Sequence, residues 1–399
     1  MKCSSISVAQ SSAFLTAFEL PPTGSGMLDG LCFAVKDVID VAGWKTGCGN
    51  PTWRDSHPPA IANAVCVEQL LRAGRAASAK PFRMNWLSAF LVRITFTARL
   101  STHRRLIASV ACGLADFALG TDTGGSTRVP ASNCGIWGFR PSHGFISLAG
   151  VNPLAPSFDT VGILAQSADV LARVGLVLLT CAPVPASKPC KVHLIHEGFA
   201  LADADVQHAM LEPVRRLRDF FGERVQELSL RDLAADKSAR SFASWSDTFC
   251  VIQWAEIKSC LGAWIADAKP ELGPDVAASF ELANQLDRRC VAEALERREQ
   301  YFRSLHDFLG LHDLLCIPTT PALSPRKGDA PARSSSGSGY YPRTSAMTSV
   351  GGIGRLPQVS LPVAHAGGVP VGLSLLARHG QDTLLLEVMK SLDQQQLCH

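Results

Sequence analysis

The sequence predicts an α/β fold, and three stretches carry that prediction. LDGLCFAVKDVIDVAG (residues 28–43) alternates Leu31, Phe33 and Val35 with Cys32, Ala34 and Lys36, the period-two pattern of a strand near the middle of a sheet. IANAVCVEQLLRAGRA, within residues 57–77, then switches to helical spacing at Ala64, Val67, Leu70 and Leu71, with Gly74 near its C-cap. The same strand-to-helix change recurs at KVHLIHE (191–197) and DADVQHAMLEPVRRLRDFFG (203–222). A chain of 399 residues, 47% hydrophobic and 18% charged, can bury a large core. No internal repeat or linker divides it, so one domain over 1–399 is expected.

In chain order, residues 1–26 read as a helix and a Pro/Gly loop. SFDTVG (157–162) reads as a turn and a strand, and QSADVLARVGLVLL (166–179) as an amphipathic helix with Ser167 or Asp169 near its start. Residues 190–316 are mainly helical, with Trp245, Phe249, Trp254 and Trp264 at roughly helical intervals; most of that aromatic stripe is expected in the core, and one edge could line a ligand site. LLCIPTTPALSP (314–325) reads as a strand, and GDAPARSSSGSGYYPRTSAM (328–347) as a loop. Residues 356–380 form a hairpin around Gly367 and Gly368, before a last helix at 382–392.

Composition excludes several classes. The net charge of +3, with no dense Lys/Arg tract, gives no electrostatic basis for nucleic-acid binding. Thirteen cysteines, dispersed without a CxxC pair, read as reduced thiols in a cytoplasmic protein and give no metal-ligand spacing. No apolar stretch is long enough to span a membrane, and the N-terminus lacks the apolar region of a signal peptide.

The chemistry concentrates in ADFALGTDTGGSTRVPASNCGIWGFRPSHG, residues 115–144. An apolar strand breaks at Gly120 into Thr121, Asp122, Thr123, Gly124, Gly125 and Ser126. Adjacent glycines free the backbone, so successive N–H groups can converge on one point beside the serine hydroxyl. Acyl transfer needs that arrangement: a nucleophile next to donors preset for an oxyanion. A bare GGS is an ordinary turn, but this run continues through GTDTGGSTRVPAS and CGIWGFRPSHG, and it resembles the core of the amidase-signature family. It is not a GxSxG elbow, and nothing supports a Ser–His–Asp triad.

The resemblance implies a central mixed β-sheet covered by helices on both faces, and hydrolysis of a small, linear carboxamide by a Ser–Ser–Lys triad without metal or organic cofactor. Ser126 is then the nucleophile, and the N–H groups of Thr123, Gly124, Gly125 and Ser126 the oxyanion hole. Asp122 and Arg128 brace the loop through a charge-assisted hydrogen bond. AVKDxxDVxG, followed by TGCGNP (46–51), matches the segment that carries the family's lysine, which makes Lys36 the base. Burial disfavours the charged ammonium and suits it to that role. Ser132 and His143 read as structural. PQVSLP and GVPVGLSLLARHG (to residue 380) are a second match and bring the C-terminus back onto the first sheet. The resemblance thus covers a catalytic core at 28–182, a variable helical substrate side at 190–316, and a C-terminal hairpin and helix at 350–393.

Residues 81–107, PFRMNWLSAFLVRITFTARLSTHRRLI, depart from the family. The GGSSxGS loop that carries the triad's second serine, which relays a proton between lysine and nucleophile, is missing. The stretch reads as a frameshift. Met84, Asn85 and Trp86 require ATG-AAY-TGG, and one base earlier these bases encode Glu-Leu. With synonymous codons chosen for the match, the shifted frame from Lys80 to Ala108 gives TVSDELAFSLSGENHFYGTPLNPPAPDR. Members similar to indole-3-acetamide amidases carry DExAxSxxGENxxYGTPxNPxxxDR there; a segment like VPGGSSSGSA is then absent before Ser109. The resemblance therefore implies an amidase of impaired activity, with a small arylacetamide as the preferred substrate. The alternatives are a catalytically dead amidase-like binding module or pseudogene product, and an amidotransferase-type subunit, against which the near-neutral charge argues. Oligomeric state is not readable.

Overall fold

The structure, a computed structural model, describes residues 20, 22–74, 79–82, 102–180, 191–233, 241–325 and 339–396. Its N-terminal part contains β1 (Phe33–Lys36), α1 (Pro51–Ser56), α2 (Val65–Arg72), β2 (Ala79–Phe82), α3 (Thr102–Ala111), β3 (Phe117–Asp122), α4 (Arg128–Cys134), β4 (Trp137–Arg140), β5 (Thr160–Ala165) and α5 (Ala168–Leu179). The middle part contains β6 (Lys191–Ile195), α6 (His196–Ala200), α7 (Ala204–Phe221), β7 (Val225–Leu228), α8 (Leu230–Leu233), α9 (Phe242–Ala268), α10 (Pro274–Gln285) and α11 (Arg288–Phe308). The C-terminal part contains β8 (Asp313–Pro318), α12 (Tyr340–Ile353), β9 (Gln358–Ala366), β10 (Val369–Ala377) and α13 (Asp382–Gln394).

The strands form one mixed sheet in the order β2-β1-β3-β5-β4-β9-β10-β8-β6-β7. Its two ends are parallel (β2-β1-β3 and β8-β6-β7), and the strands between them pair antiparallel. β9 pairs with β4, so the C-terminal hairpin completes the first half of the sheet. Alternation along each strand assigns the faces. Phe117 and Leu119 of β3, with Leu314 and Cys316 of β8, join a core shared with α2, α5, α7 and α13. On the opposite face, Ala118 meets Leu106, Ile107 and Val110 of α3 and Ala131 of α4. Farther along that face, Leu315 and Ile317 pack on Trp245 and Phe249 of α9, Tyr301 of α11 and Met347 of α12. Both faces are therefore covered, as expected of a sheet whose strands are buried on each side.

Three readings are corrected. β1 is one strand in from the edge rather than near the middle, with β2 beyond it. The helix expected within 57–77 is only Val65–Arg72; Pro58 and Pro59 hold the preceding segment out of helix, and a separate α1 begins at Pro51 under an Asn50 cap that accepts from Thr52 and Trp53 N–H. The loop expected over 328–347 is helical from Tyr340 onward. Pro342 lies in the first turn of α12, where its missing N–H costs nothing, and Met347, Val350 and Ile353 are buried. Residues 1–19, 83–101 and 326–338 lie outside the described residues, and with them the expected N-terminal helix, most of the aberrant stretch and the start of that loop.

Trp245 is fully buried and stacked on Tyr301 with centroids 4.7 Å apart. Trp245→Ala should cost about 3–5 kcal/mol of stability, read as a lower midpoint in urea denaturation.

Candidate active site

Asp122, the last residue of β3, organises the turn that follows it. Its carboxylate accepts from the N–H groups of Gly125 (3.0 Å), Thr127 (3.1 Å) and Arg128 (3.3 Å). Two guanidinium groups close on the same carboxylate: Arg128 through Nη2 at 2.7 Å and Nε at 2.9 Å, and Arg140 through Nη1 at 3.0 Å. All three side chains are inaccessible to water. Burial alone would push the Asp122 carboxyl up, but the charge and hydrogen bonds of Arg128, reinforced by Arg140, hold it far below the usual carboxylate range. Arg128 continues outward to the carbonyl of Thr348 (2.9 Å) and Oε1 of Gln358 (2.6 Å), which ties the turn to α12 and β9.

The two glycines are needed where they stand. Gly125 has φ +113° and lies so close to Thr348 that a Cβ would sit 2.9 Å from its Cγ2. On Gly124 a Cβ would meet Phe249 Cζ at 3.1 Å, and the Gly124 carbonyl accepts from the Thr348 hydroxyl at 2.9 Å. Ser126 follows, buried with only its edge exposed. The structure thus places Thr123, Gly124, Gly125 and Ser126 in one turn, with one correction: the Gly125 N–H is turned back onto Asp122 and is not offered to an oxyanion.

Lys36 ends β1, fully buried, with its Nζ hydrogen-bonded to the Thr121 hydroxyl. Burial lowers its pKa to about 7, against the opposing pull of Asp159, Asp122 and Cys48. Asp159 accepts from the Thr123 hydroxyl at 2.5 Å and from the N–H groups of Leu154 (2.8 Å) and Ala155 (3.0 Å), which fixes the SFDT loop beside the turn. Thr121, Arg140 and Asp159 were not among the candidate residues of the motif. Each lies inside a quoted motif, but their roles come from contacts across 18 to 85 residues of chain. Ser132 accepts from the Gly372 N–H at 2.8 Å and anchors α4 to β10. His143 is held on the Pro156 carbonyl at 2.9 Å, with its pKa lowered by burial. Ser167 caps α5, while Asp169 pairs with Arg173. The aromatic stripe of α9 divides: Trp245 and Trp254 are buried, Phe249 packs on Phe158 at 4.5 Å above the turn, and Trp264 meets Trp53 at 4.9 Å. Among the described residues no cluster of His, Cys, Asp and Glu is suited to a metal ion, and no helix is long and apolar enough to cross a membrane.

The buried Lys36, of near-neutral pKa, and the glycine-shaped turn at Ser126 thus lie together on a mixed sheet covered on both faces. A sequence model of the family described as Amidase matches residues 108–386, and the chain belongs to that amidase-signature family. It is 33% identical to Amidase 1 of Arabidopsis thaliana across 95% of this chain and 97% of the relative. It is 28% identical to Indoleacetamide hydrolase of Pseudomonas savastanoi across 72% of this chain and 64% of that protein. A crystal structure of amidase shares the fold with a TM-score of 0.78 at 23% identity, over 93% of this chain and 86% of the other.

The Lys36 shift has a definite sign. Its folded-state pKa of about 7 lies below the ordinary lysine value of 10.5, so the unfolded chain binds more protons between these pH values and stability rises with pH across that window. Below about pH 7 the cost of burying the charge is fully present. Lys36→Met should therefore be more stable than the parent at neutral pH, by several kcal/mol at most. It should also flatten the rise toward alkaline pH; urea midpoints measured as a function of pH check this.

Proposed function

We propose that the chain derives from a carboxamide hydrolase that converts a small amide and water to a carboxylic acid and ammonia by the Ser–Ser–Lys mechanism. The observation that carries the reading is Lys36, fully buried yet with a pKa near neutrality, beside the Asp122-braced turn that presents Ser126. Uncharged Lys36 takes the proton of Ser126, and Ser126 Oγ attacks the amide carbon. The oxyanion is stabilised by the N–H groups of Thr123, Gly124 and Ser126. Ammonia departs as the proton is returned, and water hydrolyses the acyl-enzyme. Asp122 and Arg128 take no part in proton transfer; they hold the turn.

The preferred substrate is a small arylacetamide. Phe249 lies against the turn and packs on Phe158, which gives the turn an aromatic neighbourhood, and one relative is an indoleacetamide hydrolase. The reading places the protein in the cytoplasm, consistent with its dispersed cysteines. Residues 81–107 are read as the product of a frameshift. Without the serine-rich loop the proton passes from Ser126 to Lys36 directly or through water, and turnover is a trace of the intact enzyme's. The same loss favours a second reading, an amidase-like fold kept for binding alone.

One experiment separates the two. The chain is rebuilt with DELAFSLSGENHFYGTPLNPPAPDR and VPGGSSSGSA in place of the aberrant stretch, and ammonia release from arylacetamides is measured for both forms. The rebuilt chain should exceed the present one by on the order of 10³-fold or more, because groups that act as a unit lose activity together. A rebuilt, folded chain that releases no ammonia would contradict the amidase reading.

A further inference from the structure

Helix α9 lies across the candidate nucleophile turn and brings one polar side chain to it. Around the position that a Cβ would take on Gly124, the nearest atoms are Phe249 Cζ at 3.1 Å, Phe249 Cε1 at 3.4 Å and Gln253 Nε2 at 3.5 Å. Gln253 is one helical turn beyond Phe249, so the two occupy the same face of α9. Only 8% of Gln253 is exposed. No hydrogen bond to another described residue engages its carboxamide. Glu256, on the next turn, is already held by the Ser157 N–H at 3.0 Å, and Asp159 and Thr348 are likewise engaged. Its amide atoms are not among the fully buried polar atoms that lack a partner, so the carboxamide meets solvent at the edge of the turn and is open to a ligand there. Here it borders the turn whose N–H groups are proposed to receive the substrate carbonyl.

We propose that Gln253 is a specificity-determining residue that pairs with the reacting carboxamide itself. A side-chain amide has donors and an acceptor, as does a primary amide substrate: Gln253 donates to the substrate's carbonyl region and accepts from its N–H. An ester of the same acid offers no N–H and leaves the Gln253 acceptor unpaired, so the site prefers amides to esters. The preference belongs to the reacting end of the ligand and is independent of its aryl group. This inference rests on the amidase reading of the same site.

The test uses the full chain carrying Ser126→Ala, which prevents turnover, and measures binding of phenylacetamide and methyl phenylacetate by calorimetry. The amide should bind on the order of tenfold tighter than the ester, the effect of one hydrogen bond that is either made or left unpaired. Adding Gln253→Met, close to glutamine in shape, should bring the two within about twofold. Gln253→Leu gives the same comparison if the methionine variant does not fold, with circular dichroism as the check. An unchanged amide preference in a folded Gln253 variant, or equal binding of both probes with Gln253 present, overturns the assignment and leaves the amidase reading intact. Binding of neither probe contradicts both.

Discussion

The buried charge cluster of Asp122, Arg128 and Arg140 is the constraint on which the rest of the site depends. A single carboxylate receives two guanidinium groups and three backbone N–H groups, all out of contact with water. Removing one member of such a cluster leaves an uncompensated buried charge and typically costs about 3–5 kcal/mol. The cluster also fixes a path. Arg128 passes from Asp122 to Thr348 and Gln358, while Arg140 reaches the carbonyls of Asp122 and Phe158. The end of β3, the start of α4, the C-terminal hairpin and the SFDT loop are thereby held in one arrangement. The turn containing Ser126 has little freedom left.

Against that rigid background Lys36 has an unusual environment. Its ammonium would be charged in water, yet among the described residues it has no carboxylate in hydrogen-bond contact and bonds to the Thr121 hydroxyl. Asp159 and Asp122 act on it through space and do not cancel the cost of burial. The consequence is a base held near its titration point, at the expense of stability at neutral pH. A structural lysine is usually better paired or better solvated, and this contrast supports the proposed role of Lys36 in proton transfer.

Much of this was legible in the sequence, for identifiable reasons. The strand β1 and the hairpin β9–β10 carry strong alternation or paired glycines, and GTDTGGSTRVPAS encodes its own turn through Gly124, Gly125 and Asp122. The helix α12 was not legible, because Gly339, Pro342, Ser345, Gly351 and Gly352 give it a loop's composition; it is helical because Met347, Val350 and Ile353 have a place in the core and Thr344 and Thr348 bond back along the helix. The diversion of the Gly125 N–H to Asp122 depends on the turn's three-dimensional path and has no local signal. Nor does Gln253, a polar residue in a helix of ordinary pattern, whose relevance comes only from the way α9 crosses Gly124. The departure at 81–107, by contrast, was plain in the sequence, where the family resemblance stops and resumes.

The most direct test of the account is the pH dependence of Ser126 phosphonylation by a fluorophosphonate, with the modified residue located by peptide mass spectrometry. The account predicts a single adduct on Ser126, formed at a rate that rises with pH through a midpoint near the Lys36 value of about 7 and loses that midpoint in Lys36→Met. An adduct on another residue, or a Ser126 adduct whose pH profile is the same without Lys36, would contradict it.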